Sequence, residues 1–128
     1  MKKFLLDSHK INYHPVAVAS YIEGKKIFPI NVEISPAASC NHHCLFCNFN
    51  YLGHKGLFPK GRMQNLVKEL ACSGVKSVVF AGIGEPLLHT DTVPSMKLAF
   101  EKGLDVGLYT NGALIKDENI EDIVNSLT

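Results

Sequence analysis

Two hydrophobic periods alternate along this chain, and the switches between them mark out its elements. The first clear pattern opens at residue 30, where Ile30, Val32 and Ile34 are apolar, Asn31 and Glu33 are polar, and Ser35-Pro36 breaks the run. A period of two with a proline stop predicts a strand. Met63, Leu66, Val67, Leu70 and Ala71 then recur at helical spacing, predicting an amphipathic helix that ends before Gly74. Ser77-Val78-Val79-Phe80-Ala81 is a continuous apolar run of the kind buried in parallel sheets. A turn with Gly82, Gly84 and Pro86 follows it. A second helix fits 94–102, with Pro94 in its first turn and Gly103 past its end. A third strand is predicted over 105–110, closed by Asn111-Gly112, and Ile120, Ile123, Val124 and Leu127 mark a third helix. Upstream, 16–23 reads as a short helix stopped by Gly24, and residues 1–29 as an N-terminal extension.

From residue 30 the order is βαβαβα, which predicts an α/β fold. Right-handed crossovers make its sheet parallel, with the helices on the outer face. Chemistry in such folds gathers at the carboxyl ends of the strands. Three segments directly follow a strand here: a cysteine-rich loop, the turn Gly82-Ile83-Gly84-Glu85-Pro86, and Thr110-Asn111-Gly112. They are expected to meet at one mouth of the sheet.

Composition narrows the function without choosing it. The 128 residues make one domain, and 46% hydrophobic with 20% charged residues excludes wholesale disorder. A net charge of +1 speaks against a protein that coats nucleic acid or an anionic membrane. Lys55, Lys60 and Arg62, with only Tyr51 and Phe58 nearby, read as a solvated loop. No apolar run approaches the roughly 18 to 20 residues that span a bilayer. Asp7 stops the apolar start of the chain far short of the about 7 to 15 residues of a signal sequence. A cytoplasmic protein is expected, with neither nucleic acid nor membrane as partner.

The cysteines carry the sharpest signal. Cys40, Cys44 and Cys47 lie within eight residues of one another. Thiols crowded into one loop read as metal ligands rather than as a disulfide framework. Cubane iron–sulfur clusters usually take four cysteines, so three leave one coordination position open, the mark of a catalytic centre. Cys72 falls about 180° from the apolar stripe of its helix at about 100° per residue, and reads as a helix-end thiol with no role. The competing arrangement is a zinc site of the three cysteines with His42, His43 or His54. Zinc loops favour paired C-x-x-C units with a distant second pair, which this chain lacks.

Cys40-x-x-x-Cys44-x-x-Cys47, with Phe46 before the last cysteine, resembles the cluster motif of the radical S-adenosylmethionine superfamily. Gly84-Glu85-Pro86 resembles that family's Gly-Gly-Glu-Pro turn, with Ile83 in place of the first glycine, and Thr110-Asn111-Gly112 resembles a segment lining its cofactor side. The resemblance covers residues 30–128, with the three motifs in the expected order. It implies a 4Fe–4S cluster on Cys40, Cys44 and Cys47, its open iron chelated by the amino and carboxylate groups of S-adenosylmethionine. Gly84, Glu85, Pro86, Thr110 and Asn111 are implied as cofactor contacts, with Glu85 meeting the methionyl amino group. The implied reaction is reductive cleavage to a 5′-deoxyadenosyl radical that abstracts hydrogen from a substrate. No residue here is assigned a catalytic role, and a reductant such as flavodoxin or ferredoxin is implied as partner. The other class of function open to these residues is a non-catalytic iron–sulfur electron carrier or metal-stabilised binding module.

Two further expectations concern the sheet. Glu33 faces either a barrel interior or solvent, while His42 and His43 face water. The resemblance implies the first half of a partial (β/α)6 TIM-like barrel, so that 30–128 reads as a truncated core domain, inactive alone. The third strand would then keep an unpaired edge and lose the neighbours that cover its apolar residues.

Overall fold

The structure is a computed structural model and describes residues 10–49, 53 and 55–128. Three strands, β1 (Asn31–Ile34), β2 (Ser77–Phe80) and β3 (Asp105–Leu108), form a parallel sheet in the order β1-β2-β3. The helices are α1 (Pro15–Ile22), α2 (Arg62–Cys72), α3 (Thr92–Glu101) and α4 (Ile120–Val124). The βαβαβα order and parallel pairing are those expected.

Register shows how the pleat sorts the side chains. Val32, Val78 and Val106 stand in one row and Ile34, Phe80 and Leu108 in another. These rows pack with Met63 and Val67 of α2, Met96 and Ala99 of α3 and Ile123 of α4 as one core. The row between them, Glu33, Val79 and Gly107, lies on the other face, as the period of two requires. Glu33 is exposed there.

The ends of the elements differ from the sequence reading. Ile30, Ala81, Tyr109 and Thr110 lie outside the strands, because each strand is only four residues long. Ile30 still serves β2, its carbonyl accepting from Lys76 and Ser77 N–H. The helix α3 starts two residues earlier than Pro94, and α4 stops at Val124, short of Leu127. At α3 and α4, Lys97 Nζ donates to Asp122 Oδ1 at 2.8 Å. That hydrogen bond and the Asp122 charge raise the Lys97 pKa above its ordinary value.

The expected free edge of β3 is present, and it is covered at one residue. Thr128 pairs with the strand there: Val106 N–H donates to Thr128 Oγ1 at 2.7 Å, and Thr128 N–H donates to Val106 O at 3.2 Å. Val106 itself is buried, since it faces the helical layer and not the edge. No helix among the described residues is long and apolar enough to cross a membrane.

Candidate cofactor site

The cysteine loop leaves β1 through a pinched neck. Ala37 bridges Leu57 in antiparallel fashion, with Phe58 N–H donating to Pro36 O at 2.8 Å and Ala38 N–H to Gly56 O at 2.9 Å. Gly56 N–H also donates to Ser39 Oγ at 3.2 Å. The neck fixes where the loop starts and ends, while leaving its middle to solvent. Cys40 and Cys44 are exposed and Cys47 is half-buried, all three as free thiols. His42 and His43 are exposed, and His54 and Tyr51 lie outside the described residues.

The turn after β2 is built tightly against that neck. Gly82 has a φ of +105°, in the region that favours glycine, and a Cβ there would meet Ser35. A Cβ on Gly84 would run into the carbonyl oxygens of Ser39 and Ala37. The glycines therefore let one part of the chain approach another; the Glu85 N–H donates to Ser39 O at 3.0 Å across the same contact. Ile83, where the family motif carries glycine, donates its N–H to Ser35 Oγ at 3.3 Å.

Glu85 is 1% exposed, and its carboxylate is a junction. Oε1 accepts from Leu87 N–H at 2.9 Å and from the Thr110 hydroxyl at 2.7 Å, while Oε2 accepts from Asn111 N–H at 2.8 Å. A carboxylate has about four acceptor positions, so one on Oε2 stays open to a further donor. Pro86 opens a short 3₁₀ turn capped by Glu85, and its carbonyl accepts from Thr92 Oγ1 at 2.6 Å. The Thr110 hydroxyl also accepts from Gly112 N–H at 3.1 Å. The Asn111 side chain reaches the other way, its Nδ2 donating to Asn41 Oδ1 at 2.8 Å and standing 3.8 Å from Cys40 Sγ.

The three segments thus meet. A cavity of about 240 Å³ is lined by Cys40 and Cys44 from the loop, Gly84 and Glu85 from the turn, and Thr110 and Asn111 from the end of β3. A second cavity, about 250 Å³, lies beside it against Cys40, Cys47, His43, Lys55 and Ile83. Three free thiols from one loop are the donor chemistry of an iron–sulfur cluster, and they sit at the mouth where a cofactor would be held. Among the described residues no three His, Cys, Asp or Glu groups stand close enough to hold a metal ion. The loop carries the donor set that such a cluster takes. Cys72, at the end of α2, is exposed and does not line either cavity.

The family model of the Radical SAM superfamily matches residues 34–127, which takes in all three segments. The chain belongs to this superfamily. Its relatives include an S-adenosylmethionine-dependent nucleotide dehydratase from Selenomonas ruminantium, 32% identical over 89 residues, covering 69% of this chain and 31% of that protein. A probable GTP 3′,8-cyclase from Thermococcus kodakarensis is 29% identical over 90 residues, covering 68% of this chain and 29% of that protein. The chain thus spans less than a third of either relative's length. Among solved structures, SuiB of Streptococcus suis bound to S-adenosylmethionine has the same α/β fold, with a TM-score of 0.64 at 22% identity. That match covers 95% of this chain and 28% of SuiB.

Sequence reasoning missed a supporting residue, His89. It is 4% exposed, its Nδ1 accepts from Asp91 N–H at 3.0 Å, and its Nε2 lies 2.7 Å from Phe58 O. An acceptor Nδ1 and a carbonyl partner at Nε2 assign the neutral Nε2–H tautomer. Asp91 Oδ2 in turn accepts from Gly61 N–H at 2.6 Å. His89 and Asp91 so tie the turn after β2 to the segment between the neck and α2. A lone histidine with no periodic neighbours gave no signal of this.

Proposed function

We propose that this chain supplies the first three strands of a partial (β/α)6 barrel in a radical SAM enzyme. Cys40, Cys44 and Cys47 would hold a 4Fe–4S cluster, with S-adenosylmethionine beside it against Gly84, Glu85, Pro86, Thr110 and Asn111. The observation that carries this reading is the single cavity walled by thiols on one side and by Glu85, Thr110 and Asn111 on the other. When bound, the pair would supply one-electron reductive cleavage of the sulfonium S–C5′ bond, releasing methionine and a 5′-deoxyadenosyl radical that takes hydrogen from a substrate.

The protein's own part is placement. The neck at Ala37 and Leu57 sets the loop at the mouth, where Cys40, Cys44 and Cys47 would hold the metal. The remaining acceptor position of Glu85 suits the methionyl ammonium, and its three internal donors hold it in one orientation. Pro86 stiffens the backbone behind it. A reductant such as flavodoxin or ferredoxin would supply the electron. Exposed thiols of this kind are suited to the reducing cytoplasm.

Anaerobic reconstitution with iron and sulfide tests the ligand assignment. About four iron and four sulfide per chain are expected, lost on replacing Cys40, Cys44 or Cys47 by Ala. A protein that takes up zinc and no iron would overturn the reading.

A further inference from the structure

We infer that the Asn111 side chain is a positioning residue for the cluster loop, holding Cys40 at the mouth and donating to its sulfur. The inference rests on the proposal that Cys40 ligates the cluster, and adds a role no motif assigns. Its basis is the orientation of one amide. Asn111 Oδ1 accepts from Ala113 N–H at 3.0 Å. A backbone N–H can only donate, so this contact fixes the oxygen on the β3 side and turns Nδ2 toward the loop. Nδ2 then donates to Asn41 Oδ1 at 2.8 Å, with Cys40 Sγ 3.8 Å away.

The anchor behind this amide is firm. Asn111 N–H is held by Glu85 Oε2 at 2.8 Å, and Glu85 N–H by Ser39 O at 3.0 Å, one residue before Cys40. A closed circuit runs from Cys40 through Asn111 and Glu85 back to Ser39. It spans 71 residues of sequence separation at the Asn111–Cys40 step. This circuit holds Cys40 at the mouth. A donor aimed at a ligating sulfur stabilises the more negative, reduced cluster, so it raises the reduction potential.

Asn111→Asp separates this role from folding. Aspartate keeps the backbone N–H to Glu85 and an oxygen for Ala113 N–H, but adds a negative charge that by itself lowers the potential, so Asn111→Ala, which removes the donor without adding charge, is measured beside it and must also fall below the parent. In anaerobically reconstituted protein, a dye-mediated redox titration should give a lower cluster potential for Asn111→Asp than for the parent. A chelator should also strip its iron more readily, with affinity down by about 10- to 100-fold. A potential and iron retention equal to the parent's would overturn the inference. If the parent itself takes up no iron, the cluster assignment fails instead. A measurement without any variant stands beside these. In the metal-free parent, the Asn111 side-chain amide protons should show nuclear Overhauser contacts to Cys40 and Asn41. Their absence in a folded protein would overturn the latch whatever the variants do.

Discussion

The Thr110 hydroxyl donates to Glu85 Oε1 at 2.7 Å, joining the end of β3 to the turn after β2 across 25 residues of sequence. With Leu87 and Asn111 N–H on the same carboxylate, one buried side chain fastens two of the three segments that make the mouth. Its own N–H fastens the third through Ser39.

Glu85→Ala therefore should do more than weaken cofactor binding. Hydrogen bonds to a charged group contribute about 1.5 to 3 kcal/mol each, and the variant leaves three donors without their acceptor. The urea midpoint should drop by the equivalent of roughly 3 kcal/mol or more, with the slope unchanged. Affinity for S-adenosylmethionine should fall about 10- to 150-fold, from the loss of one charge-assisted contact. Glu85→Gln keeps one oxygen and should lose less than Glu85→Ala. An unchanged midpoint for Glu85→Ala would show the junction to be idle.

Gly84→Ala places a methyl group against the carbonyls of Ser39 and Ala37. Backbone cannot swing aside as a side chain can, so the neck must shift, at a cost of about 1 to 3 kcal/mol or more. Gly107→Ala is the control, since its Cβ would meet only the Val79 side chain, at 3.3 Å. Thermal melting should show a fall of several degrees for Gly84→Ala and a clearly smaller change for Gly107→Ala. Equal melting temperatures would mean that the close approach is not required.

His89→Leu removes the partners of Phe58 O and Asp91 N–H. A buried group left unpaired costs about 1 to 3 kcal/mol, so the variant should unfold at lower urea than the parent. Hydrogen exchange should also rise at Gly61, whose N–H depends on Asp91. Protection at Gly61 equal to the parent's would separate His89 from that anchor.

Much of this fold was legible in the chain because burial here is periodic. The stripe of α2 puts Met63 and Val67 in the core, and the alternation of β1 puts Ile34 there. The mouth was legible too, because each informative segment directly follows a strand in a parallel sheet. What could not be read were pairings between distant residues. Nothing local to Ala37 announces Leu57, and nothing near Glu85 announces Thr110. Nothing local to Gly84 announces that the space beside it is taken by the carbonyls of Ser39 and Ala37. Thr128 covering Val106 at the sheet edge is a contact of the same kind.

Replacing each cysteine by Ala sorts ligands from bystander. Cys40, Cys44 and Cys47 variants should lose most of their iron and brown colour, while Cys72→Ala, altering an exposed thiol at a helix end, should keep both. Bleaching by Cys72→Ala would make it a fourth ligand and leave no open position for S-adenosylmethionine.

The central claim is that the thiol loop and the Glu85 wall form one site, in which cluster and S-adenosylmethionine touch. The direct test is the electron paramagnetic resonance spectrum of the reduced, reconstituted protein with and without S-adenosylmethionine. The account predicts that adding it shifts the spectrum, and that Glu85→Ala needs more of it for the same shift. A spectrum that does not move at saturating S-adenosylmethionine would contradict the account and point to an electron carrier.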